Sequence, residues 1–323
     1  MAKKLAGLGF LVLTFAAVQA LAQQYPARPI RVIAAQSAGS SLDTVTRIVM
    51  NKMSETIGQQ FVIDNRGGAG GVIGVEIGAR AAPDGYTLLV GASSSMIISQ
   101  FTYRNLPFDA FKDFDPISMT VNADAVMVVN PAVPVKSVKD LIALAKAQPG
   151  KLNMSSAGMG SSSHLAGVMF TTMAGINTIH VPYKGGGPMA AAVVGGEVQW
   201  CIAPAAALVG QIRAGRLRGI AVSGKERSPL LPDLPTIAEA GVPGYEYSSW
   251  NGVFAPRGTP RPVIRMLHAS IQKVLAAPEV KEQYAQQGTV PQGSASPEEF
   301  GRFFRADYDR IAKLVSIAGI KPE

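Results

Sequence analysis

A single cysteine, Cys201, stands in a chain of 323 residues. That scarcity excludes an intrachain disulfide framework and any zinc site built on several thiolates. Histidine is nearly as rare. His164, His180 and His268 are the only three; they form no H-E-x-x-H and no pair three or four residues apart on a helix face, so neither a metal nor a cofactor is expected. Charged residues make up 16% and aromatics 7% of the chain. The basic residues are scattered, the tightest groups being Arg213-Arg216-Arg218 and Arg302-Arg305, so nucleic acid is not expected as a partner. No G-x-S-x-G is present, and after residue 22 no apolar run is long enough to span a membrane.

What is present is apolar and small: 47% hydrophobic residues with 34 glycines and 22 prolines, the composition of a globular chain long enough for two domains. Lys3 and Lys4 precede an apolar run from Leu5 to Val18 and the site Ala20-Leu21-Ala22. This reads as a cleavable export signal over residues 1–22, placing the mature protein in the periplasm, in preference to a membrane anchor. Cleavage before Gln23 leaves 28 basic against 22 acidic residues, so the net charge falls from +8 to +6. A mild positive field suits the steering of small anions.

Short β-branched runs alternate with helical stretches, the pattern of an α/β fold with largely parallel sheets. Strands are expected at 30–35, 61–64, 86–90, 126–130, 152–155, 178–182, 198–203 and 217–222. Helices are expected at 42–57, up to Arg80, from 138 to 147 behind the Ser137 cap, from about 163, from Thr259-Pro260 to Ala276, and after the Ser296-Pro297-Glu298-Glu299 capping box. The last two helices have no strands of their own nearby, so they should pack back on the first block. The domains are then 23–125 plus 250–323, a discontinuous first lobe, and 126–249, the second.

Several apparent motifs have plainer explanations. Ser161, Ser162 and Ser163 adjoin His164, but neighbours at a helix start do not face one another as nucleophile and base must. They suit a helix cap and, with free N–H groups beside them, an anion site. Gly219 to Lys225 matches G-x-x-x-x-G-K, yet Glu226 replaces Ser or Thr and the segment reads as strand. The glycines between 67 and 74 fit close packing of helix on sheet. His180 is expected in a buried strand, His268 on a solvent-facing helix side, Cys201 in the interior, and Met50, Met53, Met169 and Met173 in the core. Trp250 fits either the core or a ring closing over a ligand. Small-residue loops at 36–41, 92–96, 157–164 and 183–188 all fall at strand carboxyl ends, where open α/β sheets bind ligands.

The segments Tyr25-Pro26-Ala27-Arg28-Pro29-Ile30, Asn65 to Gly74, Pro83 to Leu89, Ser155 to Leu165, His180 to Gly185 and Leu234 to Gly241, in this order and spacing, resemble the Bug (TctC-like) extracytoplasmic solute receptors of tripartite tricarboxylate transporters. The likeness spans essentially the whole mature chain. It implies a two-lobed, Venus-flytrap periplasmic binding protein fold of type II-like form, a small carboxylate in the cleft, handover to a membrane permease, a monomer and no catalysis. Carried over by position, the first-lobe contacts are Ser37, Ala38, Gly39, Ser40 and Ser41 with Asp43, and Ser93, Ser94 and Ser95. Those of the second lobe are Gly158, Ser161, Ser162, Ser163, His164, Tyr183 and Lys184, with Ala203 in an apolar wall and Trp250 at the crossing. Ala35-Gln36-Ser37 departs from the family's Pro-Phe-Pro-type stretch. Ile202-Ala203-Pro204 replaces the Phe-Asp of amino-acid receptors, so an ammonium there goes unpaired in a desolvated cleft. Aromatic and aliphatic di- or tricarboxylates remain as ligands. A sensor subunit is the alternative role, with a periplasmic hydrolase behind it.

Overall fold

The computed structural model describes residues 25–317 together with Pro322; the export signal expected at 1–22 lies outside the described residues. Three β-branched runs, β1 (Ile30–Ala34), β2 (Phe61–Asn65) and β3 (Thr87–Ala92), pair in parallel around β1. The helices α1 (Ser41–Ile57) and α2 (Val72–Ala79) connect them. Ser40 caps α1, its Oγ accepting the Asp43 N–H at 3.2 Å. Gly74 lets α2 close on β1, since a Cβ there would stand 2.8 Å from Ala35 Cα and 2.7 Å from the Arg66 carbonyl. The glycines of this stretch serve packing, as their sequence suggested.

The 16-residue strand β4 (Phe114–Val129) joins two strand sets. Its first part, through Asp124, pairs antiparallel with β9 (Ser248–Pro256), which in turn pairs with β3. From Ala125 onward it pairs instead with β7 (Trp200–Pro204) and β8 (Arg218–Val222). Beyond β7 lie β5 (Asn153–Ser156) and then β6 (Ile179–Pro182), both parallel. Sheet order is β2-β1-β3-β9-β4-β7-β5-β6, with β8 on β4. The sheets are therefore mixed, not largely parallel, because both strands that pass between the sets run against their neighbours. The segment around Trp250, for which no strand was expected, is a buried strand, and β4 begins 12 residues before the strand expected at Val126.

The return path runs alongside. Ser223 Oγ accepts the Ala125 N–H at 2.7 Å and donates to the Tyr247 carbonyl at 2.5 Å, while Ser223 N–H bonds Ala125 O and Tyr247 N–H bonds Ser223 O. One buried serine thus straps the two passing chains together.

The remaining helices are α3 (Ser99–Thr102), α4 (Val138–Ala147), α5 (Ser162–Ala174), α6 (Gly186–Val194), α7 (Ala205–Arg213), α8 (Arg261–Ala276), α9 (Pro278–Gln286) and α10 (Pro297–Ile317). A π-helical turn, Ser94–Ile98, leads into α3, so the polar loop expected after β3 is a helix start. Leu267 and Ile271 of α8 pack with Val45 and Val49 of α1 over β1 and β3. On the other face, Phe300 and Phe304 of α10 pack on Trp250 and Phe254. The closing helices do use the first strand set, and α10 also touches α5. His268 is half-buried and not solvent-facing, because its Nε2 bonds the Ser294 carbonyl at 2.8 Å.

Candidate functional site

Four helix starts border one cleft. Ser41, Leu42 and Val45 come from α1, Ser93 and Ser94 from the turn after β3, Ser162 from α5, and Pro204 and Ala206 from the junction of β7 with α7. Each follows a strand's carboxyl end. The floor is Val121 and Ala123 of β4 with Ser249, Trp250 and Asn251 of β9, and Thr289 closes one side. The space measures about 540 Å³, its mouth included. No charged side chain lines it among the described residues. Such a site binds anions through unsatisfied first-turn N–H groups, the positive ends of helix dipoles and hydroxyls. It lacks a titratable pair for acid–base chemistry.

Of the residues selected from sequence, the structure brings Ser41, Ser93, Ser94 and Ser162 together on the cleft wall, with Trp250 in its floor. Ser93 is notable, being 2% exposed with its Oγ unpartnered. The others serve the scaffold. Ser37, Ala38 and Gly39 are exposed in the turn before α1, and Ser40 is its cap. Asp43 is buried, accepting from Gly39 N–H at 2.8 Å and Asn65 Nδ2 at 2.9 Å and paired with Arg47 at 3.0 Å. Burial alone would raise its pKa, but the bonds from Arg47, Gly39 and Asn65 hold it below the usual carboxylate value. It therefore orders the loop and is not a free ligand contact. Ser95 turns its Oγ back on Ala92 and is fully buried.

In the second lobe the 157–164 loop consumes its own polar groups. Ser161 Oγ caps α5 through His164 N–H, Ser163 Oγ accepts Ala157 N–H, and Gly158 O accepts from Ser161. His164 Nδ1 accepts Gly160 N–H at 3.2 Å, and its ring stacks on His180 at 4.2 Å. Burial, with His180 adding to it, pulls the His164 pKa down to about 4, so the pair stays neutral. His180 sits on an edge strand, half-buried, with Nε2 2.6 Å from Ser156 Oγ. Tyr183 points away and donates to Glu197 at 2.7 Å, and Lys184 is exposed. Ala203 faces the core beneath α6, while its neighbours Pro204 and Ala206 form the apolar wall. Trp250 is 1% exposed, its Nε1 donating to Asp307 at 2.7 Å among Phe300, Phe303 and Phe304. That ring is held in the core by Asp307 and lies at the floor of the cleft.

Sequence reasoning missed Leu42, Val45, Val121, Ala123, Ser249, Asn251 and Thr289. Leu42 follows Ser41 directly, and Val45 lies one helical turn beyond it. Thr289 carries no local signal, since only the fold brings the segment after α9 to the cleft.

Fold and cleft together define a two-lobed periplasmic binding protein. The profile of the tripartite tricarboxylate transporter family receptor (TctC) matches residues 45–320, and the chain belongs to that family. Protein BugT of Bordetella pertussis is 35% identical over 323 residues, covering 99% of each chain. A protein of R. palustris solved with adipate is 35% identical and superposes with a TM-score of 0.88, covering 93% of this chain and all of that one. MatC of Rhodopseudomonas palustris, solved with bound malate, is 28% identical with a TM-score of 0.82, covering 90% of this chain and 100% of its own. No helix among the described residues is long and apolar enough to cross a membrane.

Proposed function

We propose that this chain is an exported receptor that closes on an aliphatic dicarboxylate and hands it, as a monomer, to a membrane permease. One observation carries the reading: helix starts enter the cleft from both strand sets, without a charged side chain among the described residues that line it. The first lobe is 25–124 with 248–317 and the second 125–247, a division supported by the exchange of β4's partners after Asp124. Ser41, Ser93 and Ser94 with their N–H groups then hold one carboxylate, and Ser162 with the starts of α5 and α7 holds the other. Leu42, Val45, Val121 and Ala206 supply an apolar belt for the methylenes between. Adipate and malate in the similar proteins have this form. An amino acid is disfavoured because no acidic side chain stands ready for its ammonium, and a desolvated unpaired charge is expensive. Among the described residues no acid, base or nucleophile with a partner lines the wall, which supports a binding role over catalysis.

A thermal-shift series on residues 23–323 tests this with adipate, malate, benzoate and glutamate. Ligand that binds only the folded state raises the melting temperature, by about 2.7 kcal/mol of stability at one hundred times Kd. The reading expects the largest rise with a dicarboxylate. A rise with glutamate and none with either dicarboxylate would overturn it.

A further inference from the structure

The floor of the cleft has two chemically different halves. Val121 and Ala123 of β4 stand opposite Asn251 and Ser249 of β9 in the antiparallel ladder. Residues opposite one another in such a ladder, and residues two apart along a strand, share one face of the sheet. An apolar pair therefore faces the cleft beside a polar one, while the intervening Trp250 turns the other way, to Asp307 of α10. The core agrees: Val121 and Val253 pack with α1 and α8 on the cleft side, and Trp250 and Phe254 pack with α10 on the other. Asn251 and Ser249 are half-buried. Neither side chain makes a hydrogen bond among the described residues, and neither is sealed from the cleft. Ladder partners on both sides, Ala92 of β3 and Val121 of β4, fix the Asn251 backbone. That places its amide level with the residue before Ser93, whereas Ser249 lies farther along, toward the passage of β4 into the second strand set. Asp124, next on β4 after Ala123, points to the opposite face and packs on Gly224; burial first, and then the charge of Glu246, raise its pKa to about 6. It gives the cleft floor no charge.

We propose that Asn251 is a specificity-determining residue of the cleft, selecting a dicarboxylate that carries a hydroxyl on the carbon next to the carboxylate held by the first lobe. The inference rests on the dicarboxylate reading above and adds the substituent. A hydroxyl both donates and accepts, as a primary amide does, so whichever way the Asn251 amide is turned one of its atoms finds a partner. A carboxylate only accepts, and a bare methylene does neither. A site that hydrogen-bonds a ligand hydroxyl disfavours the analogue lacking it, because its own polar group is then left unpaired in a desolvated space. Leu42, Val45 and Val121 offer the other side of the chain nothing polar. The substituent therefore has one favourable direction, and the cleft distinguishes its two mirror images.

Calorimetric titration of the mature protein with adipate and with each enantiomer of 2-hydroxyadipate tests this, on the unaltered chain and on Asn251→Leu, which keeps the bulk and removes the amide. One enantiomer should bind the unaltered protein about tenfold more tightly than adipate, the worth of one hydrogen bond. Asn251→Leu should lose that preference while adipate binds it no more weakly. Ser249→Ala, at the other end of the floor, should keep the preference. Equal binding of all three acids by the unaltered protein, a preference that survives Asn251→Leu, an equal loss of every acid in that variant, or a preference lost in Ser249→Ala would overturn the assignment of Asn251 and leave the dicarboxylate reading standing. Binding of none of the three acids would overturn both. Should Asn251→Leu fail to fold, Asn251→Ala takes its place with the same expectations.

Discussion

Two titrating residues oppose one another in this protein. His164 is buried and kept neutral, its pKa lowered from 6.5 to about 4. A group whose folded pKa is depressed contributes stability that is present above its unfolded value and is lost as pH falls toward the folded one. Asp124 is the reverse. Its pKa is raised from 3.8 to about 6, so its contribution is present below the unfolded value and is lost as pH rises through 6. Between pH 4 and 6 the two slopes partly cancel, and the unaltered protein should show a shallow stability profile. Asp124→Asn removes one of them. Denaturant midpoints should then rise at pH 7, by on the order of 1 kcal/mol given the partial exposure, and fall more steeply on acidification from pH 6.5 to 4. An unchanged slope would mean that the Asp124 carboxylate is solvated. Neither shift was legible in the sequence, since His180 reaches His164 only when β6 lies beside β5, and Asp124 carries no local motif.

Elements were more legible where they carry their own stop and start signals. Ser137, Ser161 and Ser296 each announced a helix, and each accepts the expected backbone N–H. The cleft serines were legible for the same reason, because a serine after a β-branched run marks both a cap and a strand's carboxyl end. The strand Ser248–Pro256 was not: it is buried on both faces, lacks alternation, and its glycine accommodates the Phe300 ring, 2.2 Å from where a Cβ would stand. Trp250 was ambiguous because the partner that fixes it, Asp307, lies 57 residues away. The passing chains depend on Ser223, whose hydroxyl alone satisfies Ala125 N–H and bonds Tyr247 O. Ser223→Ala leaves that N–H orphaned in a fully buried position. It should lower unfolding free energy by about 1–3 kcal/mol in denaturant titrations. A loss under about 0.5 kcal/mol, within the range of a surface substitution, would show that the strap contributes little.

At the scale of the whole molecule, two strand sets share one long strand, and the helices that follow their strands end on a common space. The architecture converts a sequence poor in charge into an anion site made of backbone. In the reading proposed above each lobe contributes its own donors, and closure is then favoured by a ligand long enough to satisfy both. A ligand shifts that balance only by its differential affinity for the closed form. Composition and motif order were enough to expect two lobes and a carboxylate; they did not reveal that the wall is uncharged among the described residues. Calorimetric titration of the mature protein with adipate and with its monomethyl ester, equal in length but anionic at one end, measures what the second carboxylate contributes. Charge-assisted hydrogen bonds are each worth about 1.5–3 kcal/mol, so the ester should bind roughly a hundredfold more weakly. Equal affinity for the two would contradict a site in which each lobe holds its own carboxylate.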